Sequence, residues 1–362
     1  MCPGGVPGDE LLDYHRSVAA GGVGMTTVAY ATVSRDGLTY PNQIDMQRDD
    51  ILPGLKKLCD AVHSEGAAAS IQIGHAGYFA EKKVIGRKPL GVSRVYCTYG
   101  LTWPRVVDEN DLETLAKAFV DAARRAREAG FDAVEIQAGH GYLLSQFLSP
   151  YTNRRKDRWG GSLENRLRFP LQVLSRVREA VPRTAVVMKM NLTDGFRGGL
   201  ELDEAVEVAR AFEQAGADAL VLSGGFVSKT PMYIMRGEVP YKEFRRGQEG
   251  LAAKIGLVLV GRLLIRKYPF EEAYFRKDAR RVLKAVKLPL VLVGGLRRLE
   301  TMQAVVGEGF EFLALARPLI MEPDLVRRME KGETAASACE PCNKCVGEMN
   351  DNTVGMRCTY EK

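Results

Sequence analysis

The stretch QAGHGYLLSQF, residues 137–147, places an amide (Gln137), an imidazole (His140) and a phenol (Tyr142) where an apolar run ends. Histidine is the side chain that changes charge near neutral pH, and a phenol beside it holds or releases a proton. From the residues alone this is either a proton-handling site or a hydrogen-bonded histidine that finishes a strand. Lys189, closing the run TAVVMKMN, would attack a carbonyl carbon if its pKa were lowered. The third group is Cys339, Cys342, Cys345 and Cys358, spaced C-x2-C-x2-C-x12-C. Four thiolates in one segment can hold a tetrahedral metal or a [4Fe–4S] cluster. Zinc sites usually pair two separate C-x-x-C knuckles, so three stepped cysteines with a distant fourth suit iron–sulfur better. Zinc and free thiols are the other two readings.

The bulk numbers narrow the class. The chain has 362 residues, 46% hydrophobic and 27% charged, which is ordinary for a soluble globular protein and within the reach of one α/β barrel. No apolar run approaches the ~20 residues that span a bilayer. The net charge of +6 is spread among acidic residues, so no nucleic-acid surface is implied. It is read as a solvated surface or as a mild preference for anionic small molecules. Seven cysteines, an odd number, with no secretion signal in MCPGGVPGDELLDYHR, argue against a disulfide scaffold and for the cytoplasm.

The elements that must position these residues follow from periodicity. Strands are predicted at 24–33, 67–74, 131–138, 184–191, 217–225, 289–295 and 310–317. Helices are predicted at 52–66, 108–130, 162–181, 202–216, about 298–308 and 323–331. Buried strands that alternate with amphipathic helices pair in parallel, with helices outside. Strand ends carry Gln72, Gln137 to His140, Lys189, Ser223 to Gly225, Gly294 to Gly295 and Arg317. A closed (β/α)8 barrel gathers such ends at one face, whereas an open sheet does so less fully. The expectation is therefore α/β, a TIM barrel lacking its first strand in this numbering. GLVLVGRLLI (256–265) is the candidate to fill the gap.

Three segments resemble the old yellow enzyme family of FMN-dependent oxidoreductases. They are SIQIGHAG (70–77), GFDAVEIQAGHGYLLSQFLSPYTNRRKDRWGGSLENRLRF (130–169) and ALARPLIMEPDLVRRMEKGE (314–333). The likeness covers essentially the whole chain. The terminal cysteines make it most similar to the 2,4-dienoyl-CoA reductase and trimethylamine dehydrogenase branch.

The resemblance implies roles. Gln137 and His140 would bind the activating oxygen of a substrate, where donors stabilise the negative charge that develops as hydride arrives. Tyr142 would protonate the carbon opposite the hydride. The family commonly has histidine where this chain has Gln137, which donates through its amide and cannot become cationic. Gln72 would bond the pyrimidine edge of the flavin. Lys189 stands where the family often has arginine, keeping the charge and losing the planar fork. Gly294, Gly295, Ala316 and Arg317 would form the FMN phosphate site. Cys2, in Met1-Cys2-Pro3, resembles the end of the family's first-strand motif, whose side chain touches flavin O4. The cysteine spacing resembles the [4Fe–4S] site of the branch.

The expected organisation is an FMN-binding barrel over residues 1–335 and a cysteine-rich segment, 336–362, packed on it. The expected activity is NAD(P)H-driven reduction of an activated C=C bond (enone, enoate or dienoyl type) by hydride from flavin N5. Three alternatives are a flavin-dependent amine demethylase or dehydrogenase, a Schiff-base lyase using Lys189, and a catalytically silent barrel serving as a binding module. The expected partners are a small-molecule substrate, and a second copy of the chain or a separate electron-donor protein, with no nucleic acid and no membrane.

Overall fold

Runs of Val, Ile, Leu and Ala that are too short for helices are buried on both faces, and the structure pairs them all in parallel. It is a computed structural model and describes residues 1–246, 261, 265–348 and 356–360. The strands are β1 (Met25–Thr32), β2 (Ala68–Gly74), β3 (Leu90–Gly91), β4 (Arg105–Val106), β5 (Ala133–Ala138), β6 (Ala185–Asn191), β7 (Ala219–Ser223), β8 (Leu290–Val293) and β9 (Phe312–Ala314). The helices that cross between them include α1 (Asp9–Ala20), α2 (Leu52–Ser64), α3 (Lys82–Ile85), α4 (Glu109–Ala129), α5 (Leu143–Leu148), α6 (Leu163–Ala180) and α7 (Leu202–Gln214). Each predicted strand and helix is present at its place, with ends trimmed by a few residues.

The main sheet runs β1-β2-β5-β6-β7-β8-β9, and β3 and β4 pair apart from it in the loop that follows β2. Its order is chain order, so every strand's C-terminal end lies along one edge. Register places Gln72 beside Glu135, Gln137 beside Lys189, and Asn191 beside Ser223. A cluster of Val187, Ala219 and Val221, with Val291 and Val293 against it, fills the concave face. The larger core lies between the sheet and the helices.

Local chemistry sets the element ends. Asp108 and Asp111 form a reciprocal capping box at the start of α4, and Gly130 ends the helix with φ of 98°. Ser162 caps α6 by accepting from the Asn165 N–H at 3.3 Å. At the opposite edge of the sheet one device recurs. Asp132, Asp218 and Glu311 each accept an N–H from the first two residues of the neighbouring strand, from Ala69 (2.8 Å), Val186 (2.7 Å) and Leu290 (3.0 Å). An acidic residue just before one strand thus satisfies the start of the preceding strand in the sheet.

Among the described residues the main sheet has seven strands, and β1 and β9 are the outermost. The candidate filler at 256–265 lies, apart from Gly261 and Ile265, outside the described residues. The turn after α1 docks on the chain near residue 325. The Arg327 N–H donates to the Gly21 carbonyl at 2.8 Å, and a Cβ at Gly21 would lie 1.9 Å from the Pro323 carbonyl oxygen. Residues after 335 lie against the loop after β8, where Arg298 and Ala336 form a bridge and the Ser337 N–H donates to Arg297 O at 2.9 Å. No helix among the described residues is long and apolar enough to cross a membrane.

Gly21→Ala has only backbone to collide with at Pro323 and Asp324. It is expected to cost about 1–3 kcal/mol, the range for overpacking. Urea unfolding of the purified variant reads this, and an unchanged midpoint would show that the docking is soft.

Candidate active site

A carboxylate sits at the centre of the polar strand ends. Glu135 alternates with Gln137 on β5, so both side chains face the inside of the curved sheet. Its Oε1 accepts from Gln72 Nε2 at 2.5 Å and from Lys189 Nζ at 3.3 Å. Gln137 Nε2 donates to Gln72 Oε1 at 3.2 Å, and Gln137 Oε1 accepts from the Gly139 N–H at 3.0 Å. Gln72, Glu135 and Gln137 are buried and Lys189 nearly so. An ammonium and a carboxylate out of water must pair, and here they do, with amides completing the set.

His140 begins the turn that leaves β5. It has φ of 58°, unusual for a non-glycine residue. Asn191 holds it there, because its Oδ1 accepts from the His140 N–H at 2.9 Å while its Nδ2 donates to Asp194 Oδ1 and Gly225 O, both at 2.8 Å. The imidazole Nε2 lies 2.7 Å from Ser223 Oγ. Desolvation, aided by the Lys189 charge, lowers the His140 pKa from 6.5 to about 3. Gly141 follows with φ of 80°, where a Cβ would meet the Phe226 ring at 2.5 Å.

Tyr142 stands at the entry to α5. Its ring meets Tyr30 edge-on at 4.8 Å and Phe79 at 4.9 Å. Burial, then the neighbouring phenols of Tyr30 and Tyr40, raise its pKa well above 10. Tyr30 in turn bonds Thr39 Oγ1 at 3.1 Å. The mouth of the sheet therefore holds uncharged donors, an imidazole and two phenols, beside one internally paired cation.

The structure thus gathers Gln72, Gln137, His140, Tyr142 and Lys189 in one place. The donor set suits the polar edge of a flavin, with the Gln72 amide on β2 and the Lys189 ammonium on β6, on either side of β5. The remaining expected residues have other neighbours. Gly294 and Gly295 have φ of 108° and 75° and pack against Tyr274, whose ring atoms would lie 2.6 and 2.7 Å from added Cβ atoms. Ala316 is exposed. Arg317 donates to the Arg236 carbonyl at 3.2 Å and to Asn343 Oδ1, which ties it to the cysteine-rich segment. Cys2 is half-buried at the start of a turn, and its thiol makes no hydrogen bond among the described residues.

Cys339 and Cys345 share the charge of Arg317, and burial raises both thiols, Cys339 to about 11. Cys342 and Cys358 lie near enough to Cys345 to act on it. Yet among the described residues no three His, Cys, Asp or Glu side chains stand close enough to share one metal ion.

Sequence reasoning missed Glu135, Tyr30 and Asn191, and named Ser223 only as a strand end. The alternation in VEIQ was the available signal for Glu135, since it puts the carboxylate on the face of Gln137.

A sequence model of the NADH:flavin oxidoreductase / NADH oxidase family matches residues 2–229. The 4,4'-dithiodibutanoate disulfide reductase of Rhodococcus erythropolis is 40% identical over 360 residues, covering 99% of this chain and 88% of that protein. The structure of a 2-naphthoyl-CoA reductase in complex with 2-naphthoyl-CoA superposes with a TM-score of 0.83 at 26% identity, over 99% of this chain and 52% of that one. The old yellow enzyme homologue from Zymomonas mobilis superposes at 0.70 and 22% identity, over 92% of this chain and 86% of that one, a likeness of fold alone. The chain also spans about half the length of two further relatives that are 30–32% identical to it.

Glu135→Gln leaves the Lys189 ammonium without its counter-charge. A loss of about 3 kcal/mol is expected, much of it recovered in Glu135→Gln/Lys189→Met, as read by urea unfolding of each variant. His140 and His15 are both held neutral in the fold, with pKa values of about 3 and 4. The unfolded chain protonates them near 6.5, so their stabilising contribution is complete above that pH and is lost as pH falls towards 4. The wild type should lose stability between pH 7.5 and 5, and His140→Gln should lose less. Equal losses would refute the assignment.

Proposed function

The chain belongs to the NADH:flavin oxidoreductase / NADH oxidase family, and on that premise we propose that it reduces an activated C=C bond of the enone, enoate or dienoyl type. Enzymes of this family work with FMN and take their electrons from NADH or NADPH. The observation that supports the acceptor is the row of uncharged donors, Gln137, His140 and Tyr142, beside the Lys189–Glu135 pair.

When bound, FMN supplies the hydride, from N5. The chain's own residues do the rest. Gln72 and Lys189 would hold its pyrimidine edge. Gln137 has one amide hydrogen left, because its oxygen serves Gly139 and its other hydrogen serves Gln72. That hydrogen and the His140 ring bind the oxygen on which negative charge grows. His140, with a pKa near 3, acts there as a neutral group throughout the physiological range. Tyr142 keeps its proton at working pH and gives it to the carbon opposite the arriving hydride. Lys189 is a poor candidate for Schiff-base chemistry, since its ammonium is paired with Glu135.

A second acceptor class, an organic disulfide, is favoured by one observation, the name of the relative at 40% identity and 88% coverage. Two electrons and two protons convert a disulfide to two thiols, and the electrons again come from NAD(P)H.

Anaerobic stopped-flow work separates these readings. Enzyme reduced with dithionite is mixed with cyclohexenone, with an enoyl thioester or with 4,4'-dithiodibutanoate, and flavin reoxidation is followed. Tyr142→Phe should slow reoxidation by the alkene about 10²- to 10⁴-fold and leave flavin reduction by NAD(P)H unchanged. Equal rates in the variant remove Tyr142 from the chemistry. Purified protein that takes up no FMN removes the whole reading and favours a silent barrel.

A further inference from the structure

The loop between β2 and α4, residues 75–108, carries a cavity of about 560 Å³ that none of the preceding chemistry uses. Its wall is formed by Arg87, Lys88, Arg94, Arg105, Trp103 and Val106. The size suits one nucleotide-sized ligand. Four cations and an indole on one concave surface are an uncommon combination in a chain whose net charge is only +6.

The cations are not all spoken for. Arg87 pairs with Asp36 at 2.7 Å, and Arg105 pairs with both oxygens of Asp111 at 2.7 Å. Lys88 and Arg94 have no carboxylate partner among the described residues. Arg94 instead lies over the Trp103 ring, 5.6 Å from its centroid, and Tyr96 packs at 5.3 Å. Trp103 is 48% exposed, so the indole still offers area for stacking. An exposed indole beside guanidinium groups stacks a planar base, and the free cations take phosphate.

The walls are held in place. β3 and β4 pair there, and the Val107 N–H donates to Gly91 O at 3.0 Å. Arg155, from the signature run TNRRKD, donates to Val107 O at 2.8 Å and Val92 O at 3.3 Å. The loop also reaches the active site, since the Tyr99 ring lies 6.3 Å from Phe79, which in turn meets Tyr142.

We propose that this cavity binds the adenosine-phosphate portion of a ligand whose reactive end enters the active site beside Tyr142. The inference rests on the proposed function, which supplies two sources of that chemistry: the pyridine-nucleotide reductant and an acyl-CoA substrate. Three redox-inert fragments separate the sources. Adenosine 2',5'-bisphosphate reports NADPH, adenosine 3',5'-bisphosphate reports coenzyme A, and adenosine 5'-diphosphate, a moiety that all three share, reports NADH when it binds more tightly than either bisphosphate.

The test is calorimetric titration of the FMN-loaded protein with each fragment, for the wild type and for Arg94→Gln/Trp103→Ala. One fragment should bind the wild type, and the double variant should bind it at least tenfold more weakly. If that fragment is a reductant's, the KM for that reductant should rise in parallel, while reoxidation of dithionite-reduced enzyme by a simple enone stays unchanged. The idea is overturned if no fragment binds, or if the variant binds as well as the wild type. It is also overturned if the double variant lowers the oligomeric state in size-exclusion chromatography, which would make this face a contact between copies. Fragment binding involves no electron transfer, so it reads the cavity even if the alkene-reduction reading fails.

Discussion

A carboxylate buried inside a sheet cannot stand alone, and Glu135 organises the mouth of this one around that requirement. Its charge must be met by another charge or by donors, and β6 and β2 deliver Lys189 and Gln72 at the right depth because the parallel ladder fixes their register. The consequences run outward. Gln72, turned to donate to Glu135, presents its oxygen to Gln137. Gln137 therefore has a fixed amide orientation and one hydrogen to spare. Lys189 has a partner and is not a free cation. What the site offers a ligand is decided by how one buried negative charge is satisfied.

The two edges of the sheet divide the labour. At one edge acidic residues tie each strand to its neighbour through backbone N–H groups, which is a matter of stability. At the other edge the chain departs from regular geometry. His140 is held at positive φ by Asn191, and Gly141 is excluded from having a side chain by Phe226. Aromatic rings from the long loop after β2 close over the polar cluster, with Phe79 against Tyr142 and Tyr78 against Phe226. A rigid base and a specialised rim are what a barrel enzyme needs.

Much of this was legible in the sequence. VEIQ and VMKMN read as buried strands, and both end where polar residues begin. Gln72, Gln137, His140, Tyr142 and Lys189 could be named from strand ends and from the likeness of their segments to a known family. Glu135 could not be given its role, because strand alternation shows which way a side chain points and not what it meets. Its partner lies on a strand more than fifty residues away. Arg317 shows the same limit from the other side. Its guanidinium bonds Asn343 and the Arg236 carbonyl, groups that no local pattern links to it. The cysteines have the spacing of a cluster site, but spacing constrains the chain between ligands and not the convergence of four sulfurs.

By itself the sequence determined the alternation of strands and helices, the parallel pairing and the edge at which chemistry would gather, because these follow from hydrophobic period, helix caps and the short reach of the connecting turns. The tertiary structure alone decided which charges neutralise each other, which amide hydrogens are left over, and that cations and an indole share a cavity in the loop after β2. Those are properties of distances between residues far apart in the chain, set only when the sheet curls and its loops pack.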